Sequence, residues 1–125
     1  MEPTPADWPR LSSGVYYEDA AAAIDWPCRA FGFEVRLKIE GEGGVIEHSE
    51  LVYGDGLIMV GSVGKRPGRE WCASPRSLGG KNTQSLCLYV DDVDAHCAAA
   101  RAAGARIAEE PRTDDYGEEY GAHRS

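Results

Sequence analysis

Apolar and polar positions along the chain fall into an order that repeats. Leu11 to Tyr17 reads as a first strand, and the alanine-rich stretch from Ala20 to Phe31 reads as a helix. Asp19 is its N-cap, because a carboxylate there accepts a free amide of the first turn, and Gly32 stops it. Pro27 lies well inside, where it removes one backbone bond at a cost of about 3 kcal/mol in a regular helix; a kink near Ala23 is expected. Phe33 to Glu40 then alternates as a half-buried strand. Gly41-Glu42-Gly43-Gly44 is a hairpin turn, Val45 to Tyr53 a strand, Gly54-Asp55-Gly56 a turn and Leu57 to Gly61 a short apolar strand.

The pattern then lapses and returns. Residues 62–83 are rich in glycine, with prolines and charges and no period. Gln84 to Val90 is apolar enough for a strand, Asp91-Asp92-Val93-Asp94 opens a helix with negative charge at its positive end, Arg101 lies near its close and Gly104 ends it. Arg106 to Ala108 reads as a short strand, Pro111 to Asp115 as a turn, and Tyr116 onward as a final strand. Each half is thus strand, acidic turn, helix, glycine, strand, with an offset of about seventy residues. That spacing means two like modules and not a solenoid, whose units are shorter. Module one spans 11–61, the connecting loop 62–83 and module two 84–125, while residues 1–10, with three prolines and Trp8, form an irregular arm.

Composition narrows the class. The 42% hydrophobic and 27% charged content over 125 residues is that of one soluble globular domain. A formal charge of −8 argues against nucleic acid, because a backbone-reading surface needs clustered Lys and Arg, and Lys65, Arg66 and Arg69 form only a small basic knot. There is no membrane-spanning run and no signal-peptide order at the N-terminus, so a cytoplasmic address is expected. Cys28, Cys72, Cys87 and Cys97 show neither C-x-x-C pairing nor metal spacing and are expected as free thiols.

Taken in order, Tyr16-Tyr17-Glu18-Asp19 with its alanine helix, Phe31-Gly32-Phe33-Glu34, His48-Ser49-Glu50-Leu51, Tyr89-Val90-Asp91-Asp92-Val93-Asp94-Ala95 and Ala102-Ala103-Gly104-Ala105 resemble the vicinal-oxygen-chelate superfamily of glyoxalases, bleomycin-resistance proteins and extradiol dioxygenases. The likeness is greatest to its small bacterial glyoxalase-like members. The resemblance implies an α+β fold of two βαβββ modules, each curling into a cup-shaped incomplete barrel whose concave face holds the ligand. It also implies a last strand carrying a metal-binding glutamate, where this sequence ends at Ala122-His123-Arg124-Ser125. By that count module two lacks its last strand, and the bare sheet edge is expected to be covered or filled by a partner chain in a homodimer. A truncated reading frame would look the same.

The resemblance places metal ligands at Ser12 or Ser13, at Ser85 with Gln84 beside it, and at Glu50. Of these only Glu50 is a natural ligand, and alternation puts His48 on its face of the strand. A divalent metal needs three or four converging His, Asp or Glu ligands, so no cofactor is expected. A metal held by His48 and Glu50 is the alternative, with glyoxalase-like lyase, isomerase or dioxygenase chemistry using Glu50. The same parity groups Ser12, Gly14 and Tyr16 on one face and Ser85, Cys87 and Tyr89 on another. If both look into the cup, they line a pocket for a small organic, aromatic or drug-like molecule without catalytic machinery. In the plainer reading the tyrosines fill the core and Cys87 is an inert small hydrophobe; paired with His48 it would be a nucleophile. Trp71 marks the connecting loop as a lid, against the plainer reading of a linker.

Overall fold

Local capping chemistry sets both helices in the same way. The computed structural model describes residues 1–64, 67–115 and 117–123; the expected basic contributions of Lys65 and Arg66, and Tyr116 as the start of the last strand, lie outside them. Helix α1 (Ala20–Phe31) begins where Asp19 Oδ1 accepts from the Ala22 amide at 3.1 Å. Helix α2 (Val93–Ala102) begins where Asp92 Oδ1 accepts from the Ala95 amide at 3.0 Å. Gly32 (φ 88°) follows the first and Gly104 (φ 95°) the second, both left-handed turns that a side chain would strain. Pro27 is carried within α1, which stays helical across it over 12 residues.

Module one is complete. After β1 (Ser13–Tyr17) and α1 come β2 (Glu34–Glu40), β3 (Ile46–Tyr53) and β4 (Gly56–Ser62), in the spatial order β1-β4-β3-β2. β1 lies parallel to β4, and the other neighbours are antiparallel. One face of this sheet meets α1: Ala20, Ile24, Ile46, Leu51 and Val60 are buried, with Val15, Tyr17 and Ile58 packed against them. The fully buried Ser49 hydroxyl donates to the Val60 carbonyl and ties β3 to β4. β2 is an edge strand whose seven residues are all exposed, not half-buried as expected, and a register shift between Val35 and Leu37 interrupts its alternation.

Module two repeats the scheme in part. After α2, β5 (Arg106–Asp114) pairs antiparallel with β6 (Gly117–His123) as a separate two-stranded sheet. β5 runs through Pro111 and Arg112, where a short strand ending at Ala108 and a turn over Pro111 to Asp115 were expected. Pro111 is tolerated because this hairpin has an open edge, where a missing N–H leaves no ladder bond unmade. The larger correction is that residues 84–90 form no strand and stand mostly exposed. Module one supplies the reason: β1, the equivalent segment, is bonded to β4 and to no other strand, and among the described residues module two offers nothing that corresponds to β4. An extended segment without a ladder partner keeps the right residues and loses the strand. The fold is α+β, and the sheets do not close into a barrel.

The modules join through a second core, in which Trp26 and Ala30 of α1 pack on Ala100 of α2 and Ala105, with Phe31, Ile107 and Ala122 around them. His96 sits beside it. Its Nε2 lies 2.8 Å from the Phe31 carbonyl, which can only accept, so Nε2 donates there, and its Nδ1 lies 2.6 Å from the Tyr120 hydroxyl.

Burial pushes the Tyr17 phenol above its ordinary value. A tyrosine raised in the fold contributes stability that is whole below the unfolded value of about 10 and is lost as pH rises through the higher folded value. Urea midpoints are therefore expected to fall as pH is raised beyond 10, and to fall less steeply in Tyr17→Phe. Parallel alkaline limbs for the two proteins would refute that role.

Candidate functional site

The sheet face turned away from α1 carries the candidate chemistry. Strand parity that points Val15, Tyr17, Ser49, Leu51, Ile58 and Val60 toward the helix points Gly14, Tyr16, His48, Glu50 and Met59 the other way. Register brings them into rows: Glu50 lies opposite Met59 and Met59 opposite Gly14, while Gly61 lies opposite Tyr16. Two centres result.

The first centre is Glu50, only 7% exposed. His48 Nε2 lies 2.7 Å from its Oε2, and Arg36 Nε lies 3.5 Å from its Oε1. Because a carboxylate only accepts, His48 Nε2 carries the hydrogen of that bond. Arg36 is in turn held from the N-terminal arm: its Nη1 donates to the Asp7 carbonyl, and its guanidinium carbon lies 5.4 Å from the centre of the Trp8 ring. Alternation within β2 does not find Arg36, because the register of β2 against β3 shifts between Val35 and Leu37. A bulge of this kind re-aims the side chain beside it.

The second centre is Tyr16. A methyl group placed on Gly61 would come within 3.8 Å of the Tyr16 ring, and one placed on Gly14 within 3.4 Å of the Tyr16 hydroxyl. The phenol lies along the sheet, with both glycines at ordinary contact distance from it. Arg69 Nη1 donates to that hydroxyl at 3.1 Å with its guanidinium carbon 5.9 Å from the ring centre, and Trp71 meets the ring edge-on at 6.3 Å. Trp71 is itself pinned by its indole N–H to the Gly68 carbonyl at 3.0 Å and remains 74% exposed. The connecting loop therefore lies over Tyr16. Beneath it Tyr16, Gly61, Ser62, Arg69 and Cys72 border a cleft of about 60 Å³, against the several hundred of a usual small-molecule pocket.

The remaining expected residues are placed differently. Ser12 is half-buried just before β1. Gln84 Nε2 donates to Ser13 Oγ at 2.7 Å, so the positions assigned to the first strands of the two modules do meet. Ser85, Cys87 and Tyr89 stand exposed on the unpaired segment, Tyr89 at 95%, and no hydrogen bond or ring contact joins them to Tyr16, His48 or Glu50. The four cysteines are free thiols; burial, then the Asp25 and Glu34 carboxylates, push the Cys28 thiol up.

The donors at the positions that the resemblance assigns already have partners. Ser13 and Gln84 are neutral and bonded to each other, and the Glu50 oxygens face His48 and Arg36. Among the described residues no group of three or more His, Cys, Asp or Glu converges on a point where an ion would sit.

Comparison with known proteins adds the wider setting. The profile of the Glyoxalase/Bleomycin resistance protein/Dioxygenase superfamily matches residues 11–123. The uncharacterized protein Mb0911c of Mycobacterium bovis is 32% identical over 114 residues, covering 90% of this chain and 74% of its own length. The uncharacterized protein Rv0887c of Mycobacterium tuberculosis matches equally over 66% of its length, so the chain spans only about two thirds of that relative. TioX from Micromonospora sp. ML1 superposes with a TM-score of 0.70 at 30% identity, covering 92% of this chain and 86% of that one. A glyoxalase/bleomycin resistance protein from Streptomyces sp. CB03234 superposes with a TM-score of 0.68 at 18% identity, covering 90% and 89%, a likeness of fold alone.

Proposed function

Because the chain belongs to the glyoxalase/bleomycin resistance protein/dioxygenase superfamily, we propose that it binds a small planar aromatic molecule on the Tyr16 face and sequesters it without metal chemistry. The observation that carries this reading is the Tyr16 ring, laid along Gly14 and Gly61 and covered by Arg69 and Trp71. A flat ring on a flat support, with an aromatic edge and a guanidinium over it, suits stacking and cation–π contact. The covering loop fills the space a ligand needs, so binding lifts Arg69 and Trp71 from Tyr16 and sets them against the ligand's other face.

The reading also includes a homodimer. Its support is the β2 edge, where Val35, Leu37 and Ile39 are 46%, 40% and 44% exposed, together with the unpaired segment 84–90. Open strand edges bearing apolar residues are templates for pairing.

Titration of the protein with a panel of naphthalene, indole and anthraquinone derivatives, followed by tryptophan fluorescence, tests the reading. Saturable quenching at one ligand per chain is expected for some member of the panel. Tyr16→Ala should weaken it by about tenfold, as loss of one stacking partner does, and Glu50→Gln should change it little. Turnover of a bound compound that Glu50→Gln abolishes would instead establish the metal-dependent, glyoxalase-like alternative.

A further inference from the structure

We propose that Arg36 is a built-in cation at Glu50, standing where a divalent metal would otherwise draw on that carboxylate, and that the N-terminal arm is the clamp that holds it there. Three independent contacts fix the guanidinium. Its Nε faces Glu50 Oε1 at 3.5 Å, its Nη1 donates to the Asp7 carbonyl, and the Trp8 ring lies 5.4 Å from its carbon. Asp7 is the one non-glycine residue with positive φ, at 61°, among the described residues; a short polar side chain tolerates that turn. Its carbonyl is the one that receives Arg36.

The opposite side of the carboxylate is closed by His48, whose Nε2 hydrogen points at Oε2. Each Glu50 oxygen therefore faces a positively polarised hydrogen or a full cation, in a position only 7% exposed. A buried carboxylate needs such compensation, and here the chain supplies it from its own arm. To coordinate a metal, Glu50 would have to release Arg36, His48 would have to give up its Nε2 proton, and the ion would then sit beside a fixed like charge. Arm and sheet form one electrostatic unit, so residues 5–8 belong to the site and are not a dispensable leader to it. The inference rests on the metal-free part of the functional reading; metal uptake and aromatic quenching are separate measurements, and each can fail alone.

The test is calorimetric titration of the full chain with Ni²⁺ and Zn²⁺. Arg36→Met keeps an aliphatic stem beneath Trp8 and removes the charge. It should bind either ion about tenfold or more tightly than the parent, because the like charge that repels the ion is gone. Adding Glu50→Gln should abolish the gain, and Trp8→Ala, which loosens the clamp, should give a smaller gain of the same kind. A folded Arg36→Met protein without tighter binding overturns the proposal. So does a parent protein that takes up one ion per chain with a Kd of about 1 μM or tighter and loses it in Glu50→Gln, a comparison that decides the matter even if Arg36→Met does not fold.

Discussion

Replacing Trp26 by alanine is expected to destabilise the protein by about 3–5 kcal/mol, the usual range for removing a buried tryptophan from a packed core. Trp26 is 8% exposed on α1, meets Phe31 edge-on at 4.9 Å and packs with Ala30, Ala100 and Ala105. Its indole N–H donates to the Ala103 carbonyl at 3.1 Å, 77 residues along the chain, at the end of α2. Its partners there are mostly alanines, too small to close the hole that the ring leaves. Among the described residues module two has the fewer buried ones, and it should feel the loss first. In hydrogen exchange, amides of β5 and β6 are expected to lose protection in Trp26→Ala while those of β3 and β4 keep theirs. Trp26→Phe retains much of the apolar contact but not the bond to Ala103, and should cost less. A Trp26→Ala protein that unfolds at the parent's urea midpoint would show that the modules are not joined here.

The parts of the fold legible in the sequence are those decided within a few residues. Asp19 and Asp92 cap helices because a carboxylate three residues from a free amide does so wherever it occurs, and Gly32 and Gly104 end them for an equally local reason. A strand is different, being a relation to a neighbour. Gln84 to Val90 has the composition of one and forms none, because the partner that β4 provides to β1 has no counterpart among the described residues. Parity within module one was also legible: it put Gly14, Tyr16, His48 and Glu50 on the face where they are found. It failed at Arg36, where a register shift breaks the period of two. Trp8 and Arg69 reach the site from segments with no period at all, and only tertiary packing reveals that they matter. Trp71 was legible only as a large aromatic on a loop; that it covers Tyr16 is information carried by the fold.

Leu51→Ala is the second large effect, expected at about 2–5 kcal/mol. Leu51 is 0% exposed at the centre of module one, between α1 and strands β3 and β4, and its opposite number on β4 is Ile58. Leu37 makes the informative contrast. It lies opposite Glu50 on the edge strand and is 40% exposed, so in dilute protein Leu37→Ala should change stability by no more than about 0.5 kcal/mol. If a second copy covers the β2 edge, that small figure cannot hold at all concentrations. Binding that favours the folded state raises apparent stability with protein concentration, and Leu37→Ala would then cost more as the parent dimerises, while the cost of Leu51→Ala would be large already in the monomer. Urea midpoints of the parent and both variants, measured over a hundredfold range of concentration, separate the cases. A Leu37→Ala penalty that grows with concentration places the interface on β2. A constant small one removes β2 from the interface and leaves segment 84–90 as the edge where a partner would pair.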